Sequence, residues 1–357
     1  MKVVSPAATR YRVRVTGRGD TAAEFDCDSA EPILHAGLRA GLNLPYECAS
    51  GTCGTCKATM LDGAIDCVWP EAPGHKTVKA ERREFLMCQS HPTVDATISI
   101  AKCVEYRAPE RPSPRAVRGT LDRIAKLNRD VMSFVVTLDE ALDFDAGQFV
   151  LFAVDDVVGA RSYSMVNFVP GARTLEFLVK RFPGGKLTTW FFDDAVDGMR
   201  VSLFGPLGRA TFEPELGQNI CCIAGGSGIA GMMAILAHAN AIDYFADRGG
   251  DVFFGLRTPN DVFFIDDLVE CVAASRGRLR VTVAFSDAVA TPELVARYPN
   301  VTFAKGFVHD AARATCASLT DTMFYVAGPP PMVDGALRML LLDAKVPGTQ
   351  VRYDKFS

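Results

Sequence analysis

The stretch 46–56, "YECASGTCGTC", sets three thiols within nine positions and separates them with Gly51, Gly54 and two threonines. Residues of this kind favour turns and irregular backbone, so the stretch cannot be a packed helix or strand. The surrounding fold must therefore hold an ordered loop that keeps Cys48, Cys53 and Cys56 close together. Thiols so grouped ligate a metal, carry redox chemistry themselves, or cross-link an exported loop.

The third use is disfavoured. The opening segment "MKVVSPAATRYRVRVTGRGD" lacks the apolar core of an export signal, so the expected compartment is the reducing cytoplasm. Clustered cysteines there serve as ligands or catalytic groups more often than as cross-links. A net charge of −4 and a pI near 5.8 give no basic face for nucleic acid or an anionic membrane. One run, 219–242, is long and almost free of charge, as a membrane span would be. Gly225, Gly226 and Gly228 interrupt it, and it reads instead as strand, tight turn and helix.

With 357 residues the chain has room for two or three domains. The stretch "CVEYRAPERPSPRAV" (103–117), with Pro109, Pro112 and Pro114, reads as an extended linker. It divides a cysteine-bearing unit, 9–103, from the rest of the chain, with the linker itself at 104–115. Runs such as "FVVTL", "QFVLFAV" and "LEFLVKRF" predict an antiparallel barrel or sandwich over 116–215. From 216 to 357 strand-like and helix-like runs alternate ("ICCIAGG", "GMMAILAHAN", "DVFFGLR", "DDLVECVAAS"), which predicts a parallel α/β sheet. The fold class expected is thus α+β and multidomain.

Cys48, Cys53 and Cys56 follow C-x4-C-x2-C, and Cys88 lies further on in "EFLMCQS". This is the spacing of plant-type 2Fe–2S ferredoxins, in which four thiolates converge on two irons. Zinc more usually takes two close cysteine pairs, whereas here the fourth cysteine stands alone. Gly51 and Gly54 would let the loop backbone approach the cluster with no Cβ in the way. Together with the helical spacing of Ile33, Leu34, Leu38 and Leu42 and the turn at Pro45, the motif resembles the β-grasp ferredoxin fold. In that family Arg often follows the first loop cysteine. Here it is Ala49, which makes Ala49 the loop position to examine for contact with a partner. Cys27, Cys67 and Cys103 lie outside the spacing and read as small apolar residues.

Two further motifs lie in the middle segment. "GARSYSMVN" contains R-x-Y-S as Arg161, Ser162, Tyr163 and Ser164, and "FPGGKLTTW" opens a helix after a Gly-Gly turn. Amides at a helix start make an anion site, to which Thr188 could add a hydroxyl. The ordered pair resembles the flavin barrel of the ferredoxin–NADP reductase superfamily. That resemblance implies Tyr163 against the isoalloxazine, Ser164 near its reactive nitrogen and Arg161 on the pyrophosphate, with Ser162 also among the cofactor-binding residues. Gly184, Gly185, Lys186, Leu187 and Thr188 would face it from the other side.

In the last segment "CIAGGSGIAG" sits between a strand and a helix, and Gly225, Gly226, Ser227 and Gly228 are similar to that superfamily's nicotinamide phosphate loop. Gly231 replaces its usual proline. "FYVAGPPPM", with Ala327, Gly328 and Pro329, resembles the loop that approaches the nicotinamide, with Ala327 in place of a cysteine. Asp287 follows Ser286 where members that use NADPH grip the 2′-phosphate. A carboxylate suits ribose hydroxyls, so NADH is expected, although Arg257 puts a positive charge nearby. In the tail "VRYDKFS", Asp354 and Phe356 line up with an acidic and an aromatic residue that cover the flavin's second face.

The order ferredoxin, flavin barrel, nicotinamide domain resembles the reductase components of bacterial multicomponent oxygenases, both aromatic-ring dioxygenases and diiron monooxygenases. It implies FAD, a 2Fe–2S cluster and NADH, and an oxygenase docking near the cluster. Ser164, Asp354 and Phe356 become the residues closest to hydride transfer. Two alternatives stand beside this: a reductase for a sugar-nucleotide dehydratase, and a redox sensor read through its cluster. The scattered His35, His75, His91, His238 and His309 suggest no acid–base machinery.

Overall fold

The computed structural model describes residues 9–155, 157–316 and 319–356. The first eight residues of the opening segment, and Ser357 at the end of the expected nicotinamide domain, lie outside the described residues. By their contacts the residues form two compact units. One takes the chain through Ala116 with Leu151–Ser162 and Leu203–Pro206, and the other takes Val117–Val150, Tyr163–Ser202 and the chain from Leu207 on.

In the first unit a five-stranded mixed sheet runs Ala22–Asp28, Arg10–Thr16, Ala96–Ser99, Lys57–Asp62, Glu84–Leu86. Its first hairpin alternates strictly, with Val13, Val15, Phe25 and Cys27 inward and charged residues outward, as a sheet with one wet face requires. The helix Ile33–Arg39 buries Ile33, Leu34, Ala36 and Leu38. Gly37 sets its spacing: a Cβ there would stand 2.4 Å from Leu44 and 3.3 Å from Phe25. This is the β-grasp arrangement. The proline-rich stretch is tied down at its start, because Asn43 N–H donates to Glu105 O and Arg107 N–H to Gly41 O.

The middle sheet has six strands in the order Arg161–Ser164, Phe149–Ala153, Arg200–Leu207, Arg115–Lys126, Val131–Leu142, Ala172–Lys180. It curls back on itself. Met165, just past one edge strand, bridges antiparallel to Phe177 on the other, and Val166 N–H donates to Glu176 O. Closure of this kind removes exposed edges.

The last sheet is parallel throughout, in the order Val301–Lys305, Leu279–Phe285, Gly250–Leu256, Asn219–Gly225, Thr322–Gly328, Val351–Lys355. Its four central strands are buried on both faces, which explains their nearly unbroken apolar runs. Ile220, Cys222 and Ala224 join one core layer, and Cys221 and Ile223 join the other. The apolar run 219–242 resolves into the strand Asn219–Gly225, a turn at Gly226–Gly228 and the helix Ile229–Ala241. Among the described residues no helix is long and apolar enough to cross a membrane.

Candidate electron-transfer sites

The cysteine loop leads into the strand Lys57–Asp62, whose pairing of Lys57 with Leu86 brings the turn Met87–Gln89, and with it Cys88, beside Cys56. The four thiols fall into two pairs. Cys48 Sγ and Cys53 Sγ are 3.1 Å apart, as are Cys56 Sγ and Cys88 Sγ. Among the described residues no three His, Cys, Asp or Glu side chains gather as a single metal ion would ask. Two pairs suit two irons, one pair to each, better than one tetrahedral zinc. Backbone N–H groups of Ser50 and Cys53 donate to Cys48 Sγ and that of Thr55 to Cys53 Sγ, each at 3.4 Å. The hydrogen bond shared by Cys48 and Cys53, with help from Thr52 and these amides, pulls the Cys48 thiol below its usual range, while the same bond and burial push Cys53 up. The amides aimed at Cys48 and Cys53 would stabilise these sulfurs as thiolates, the form that ligates iron. The residues present therefore fit a 2Fe–2S cluster.

The loop glycines also meet demands set by the protein behind the loop. Gly51 and Gly54 adopt φ of +92° and +79°, and a Cβ on them would strike the side chains of Gln89 and Thr77. Positive φ and close packing behind the loop call for glycine here. Ala49 also has positive φ, +53°, and is only 1% exposed, so it cannot touch a partner. Thr55 is the exposed residue between the first and last loop cysteines. Of the three cysteines outside the motif, Cys27 is buried as a small apolar residue would be, whereas Cys67 and Cys103 are exposed.

The R-x-Y-S strand, Arg161–Ser164, faces several ways. The Ser162 hydroxyl donates to Cys48 O at 2.7 Å, so its side chain binds the cysteine loop. Arg161 lies over the Trp69 ring, 4.2 Å from the centroid. Tyr163 meets Phe134 and Phe191 edge-on, which leaves its orientation fixed by aromatic neighbours. Ser164 is 7% exposed, and the Cβ position of Gly231 lies 3.5 Å from its Cβ. Gly231 thus brings the start of the nicotinamide-domain helix against the flavin motif.

At the Gly-Gly turn, Gly184 has φ of +74° and open space where a side chain would be, and the helix Lys186–Asp193 follows. Gly185 N–H is used on Phe182 O. The Thr188 hydroxyl is also used inside the loop, donating to Gly185 O at 3.0 Å and accepting from Phe182 N–H. Leu187 is buried, so only its amide could meet a ligand. First-turn amides, which have no partner within a helix, could hold the FAD phosphates here.

The two nicotinamide signatures meet at the carboxyl ends of the adjacent strands Asn219–Gly225 and Thr322–Gly328, where Ala224 pairs with Ala327. The strand order reverses between them, and open α/β sheets bind ligands at such a switch point. The contact is tight: a Cβ on Gly228 would stand 2.2 Å from Ala327 O, and one on Gly328 (φ +148°) 3.0 Å from Gly225 N. Ser227 lies in the turn between the glycines, and Pro329 caps the helix Pro330–Leu337. The tail reaches the same place. In the strand Val351–Lys355, Asp354 pairs with Ala327, and Phe356 N–H donates to Gly328 O at 2.9 Å. Phe356 is 37% exposed, open enough to cover a ligand ring.

Asp287 receives the Ser286 hydroxyl at 2.7 Å. Arg257 is paired with Asp130 at 3.4 Å and Asp261 at 3.8 Å. Two residues escaped sequence reasoning. Lys180 ends the barrel strand Ala172–Lys180, with its Nζ 3.7 Å from the Cβ position of Gly226, a cation beside the phosphate loop. The basic pair in "LVKRFPGGK" was the available signal. Trp69, one of only two tryptophans, carried no motif at all.

Residues 17–93 match the 2Fe-2S iron-sulfur cluster binding domain, 118–212 the oxidoreductase FAD-binding domain and 222–338 the oxidoreductase NAD-binding domain. The ferredoxin–NAD(P)(+) reductase CarAd of Metapseudomonas resinovorans is 33% identical over 350 residues, covering 97% of this chain and 99% of its own. The ferredoxin–NAD(+) reductase component of the alkene monooxygenase system of Xanthobacter autotrophicus is 34% identical over 335 residues, covering 93% and 97%. The ferredoxin reductase in carbazole 1,9a-dioxygenase superposes with a TM-score of 0.82 at 32% identity, over 98% of this chain and 100% of that one. The chain belongs to the ferredoxin–NAD(P)+ reductases of bacterial oxygenase systems, iron–sulfur flavoproteins that pass electrons from a nicotinamide dinucleotide through FAD to a 2Fe–2S cluster.

Proposed function

We propose that this reductase draws on NADH and delivers electrons to an oxygenase component that docks where the cysteine loop meets solvent, around Cys53 and Thr55. Bound flavin takes a hydride and releases its electrons singly, which suits a cluster that accepts one at a time. In this reading Cys48 and Cys53 hold one iron, and Cys56 and Cys88 the other. Arg161, Tyr163, Ser164 and the amides of 184–188 orient FAD. Gly225–Gly228, Asp287 and Ala327–Pro329 orient the nicotinamide, while Asp354 and Phe356 close the flavin's second face.

The observation that carries the choice of NADH is the use of the would-be phosphate ligands elsewhere. Ser286 donates to Asp287, and Arg257 shares its charge between two aspartates. An extra phosphate would meet a carboxylate and no uncommitted serine, whereas ribose hydroxyls can donate to that carboxylate. The oxygenase is favoured over a dehydratase by the relatives, whose names place them in dioxygenase and monooxygenase systems. A cytoplasmic setting is supported by the eleven thiols, all free of disulfides.

Anaerobic titration with NADH tests the route, with flavin absorbance expected to bleach first and cluster absorbance after it. Cys88→Ala should keep NADH–ferricyanide activity, which is fed from the flavin, and lose cytochrome c reduction. Equal loss of both activities would refute an exit through the cluster.

A further inference from the structure

Trp69 lies on the turn between the strand Ile65–Cys67 and the helical turn Pro73–Thr77, inside the iron–sulfur match, and the electron route as described makes no use of it. Its ring nonetheless carries the guanidinium of Arg161 at 4.2 Å. Gly159 (φ +78°) runs alongside so closely that a Cβ there would stand 3.0 Å from the indole and 3.1 Å from the Arg161 side chain. Glycine at 159 is what lets the stack close. All three residues belong to the first unit.

A guanidinium stacked on a ring uses its face, while its N–H donors lie in the plane of the fork and meet phosphate edge-on. One edge N–H of Arg161 is fixed on Ala160 O at 3.0 Å, which sets the fork from a second side. A long, flexible side chain held this way loses little further freedom when it binds an anion. We propose that Trp69 is a positioning residue for the flavin: its indole holds Arg161 in the orientation that receives the FAD pyrophosphate. Flavin retention then depends on a side chain of the iron–sulfur region. The inference rests on the reading of Arg161 as a pyrophosphate ligand.

The test is FAD affinity, read by flavin fluorescence on the full chain stripped of flavin with its cluster retained. It compares wild type, Trp69→Leu, Arg161→Ala and the double variant. Trp69→Leu should weaken FAD by roughly 2- to 30-fold, the span of a stacked Arg–aromatic contact. Arg161→Ala should weaken it further, and the double variant should be no weaker than Arg161→Ala, with cluster absorbance unchanged throughout. Wild-type affinity in Trp69→Leu overturns the proposal, as do fully additive losses in the double variant. Wild-type affinity in Arg161→Ala would instead overturn the pyrophosphate reading beneath it. If Trp69→Leu loses the cluster, Arg161→Lys probes the same contact from the other side. It keeps the charge without the planar fork, should weaken FAD comparably, and at wild-type affinity sinks the idea.

Discussion

Replacing Gly228 with alanine should disable nicotinamide binding, while the same change at Gly231 should do no harm. The added Cβ at 228 would stand 2.2 Å from Ala327 O, 2.5 Å from its carbonyl carbon and 2.8 Å from Gly328 N. All three are backbone atoms of a central strand in register with the loop's own strand, so neither side can swing away. Carbon normally approaches no nearer than about 3.5 Å, so the loop must shift by about 1 Å. Overpacking of this sort costs about 1–3 kcal/mol. A displacement of that size at a ligand-positioning loop costs on the order of 100-fold in rate. At Gly226 the obstacle is conformational: φ is +54°, and the nearest atom to a Cβ is Lys180 Nζ at 3.7 Å, so alanine should cost about 1 kcal/mol. At Gly231, inside the helix Ile229–Ala241, a Cβ would make ordinary contacts of 3.4 Å or more. Alanine there should stabilise by about 0.5–1 kcal/mol. Melting temperature and the kcat/KM for NADH with ferricyanide read all three variants. Gly228→Ala with wild-type values, or Gly231→Ala as damaging as Gly228→Ala, would refute the steric account of this loop.

Asp287→Ala should free Ser286 and remove the repulsive carboxylate, so the kcat/KM ratio of NADH to NADPH should fall by about tenfold, or about 1.4 kcal/mol; an unchanged ratio would take Asp287 out of the argument. His35, stacked on Phe204 at 4.1 Å with its Nε2 buried and unpartnered, is pushed down to about 3 by burial, with His91 adding to the effect. A base whose folded pKa lies below its unfolded value of about 6.5 gives stability that is complete above pH 6.5 and is lost as pH falls toward 3. Between pH 7.5 and 5.5 that loss is about 1.4 kcal/mol; because burial also lowers His91 and His238, denaturant titration should show a pH slope smaller by that amount in His35→Gln than in wild type, and the same slope in both would refute it.

What the sequence made legible was local. The alternation of apolar runs with helical spacing from residue 216 onward matches the parallel sheet, because periodicity and burial on two faces are properties of short segments. In the glycine turn only Gly226 has positive φ, a property of its own position, whereas Gly228 is held to glycine by Ala327, far along the chain. Side-chain partners far along the chain were not legible. Nothing in "RSYS" says that Ser162 will bind the carbonyl of Cys48, which lies 114 residues away. Nothing in "ECAS" says that Ala49 will be buried rather than offered to a partner. Arg257 shows what this costs a functional reading. As a letter in the sequence it counted as a charge available to a 2′-phosphate. In the fold it is drawn to Asp130, 127 residues earlier, and Asp261, four residues later. The proposed preference for NADH therefore rests on more than the single acidic residue that signals it. Asp287 engages the serine, the other two aspartates engage the arginine, and a 2′-phosphate would have to break both arrangements. Relaxing the preference fully should accordingly require releasing Arg257 as well as removing Asp287.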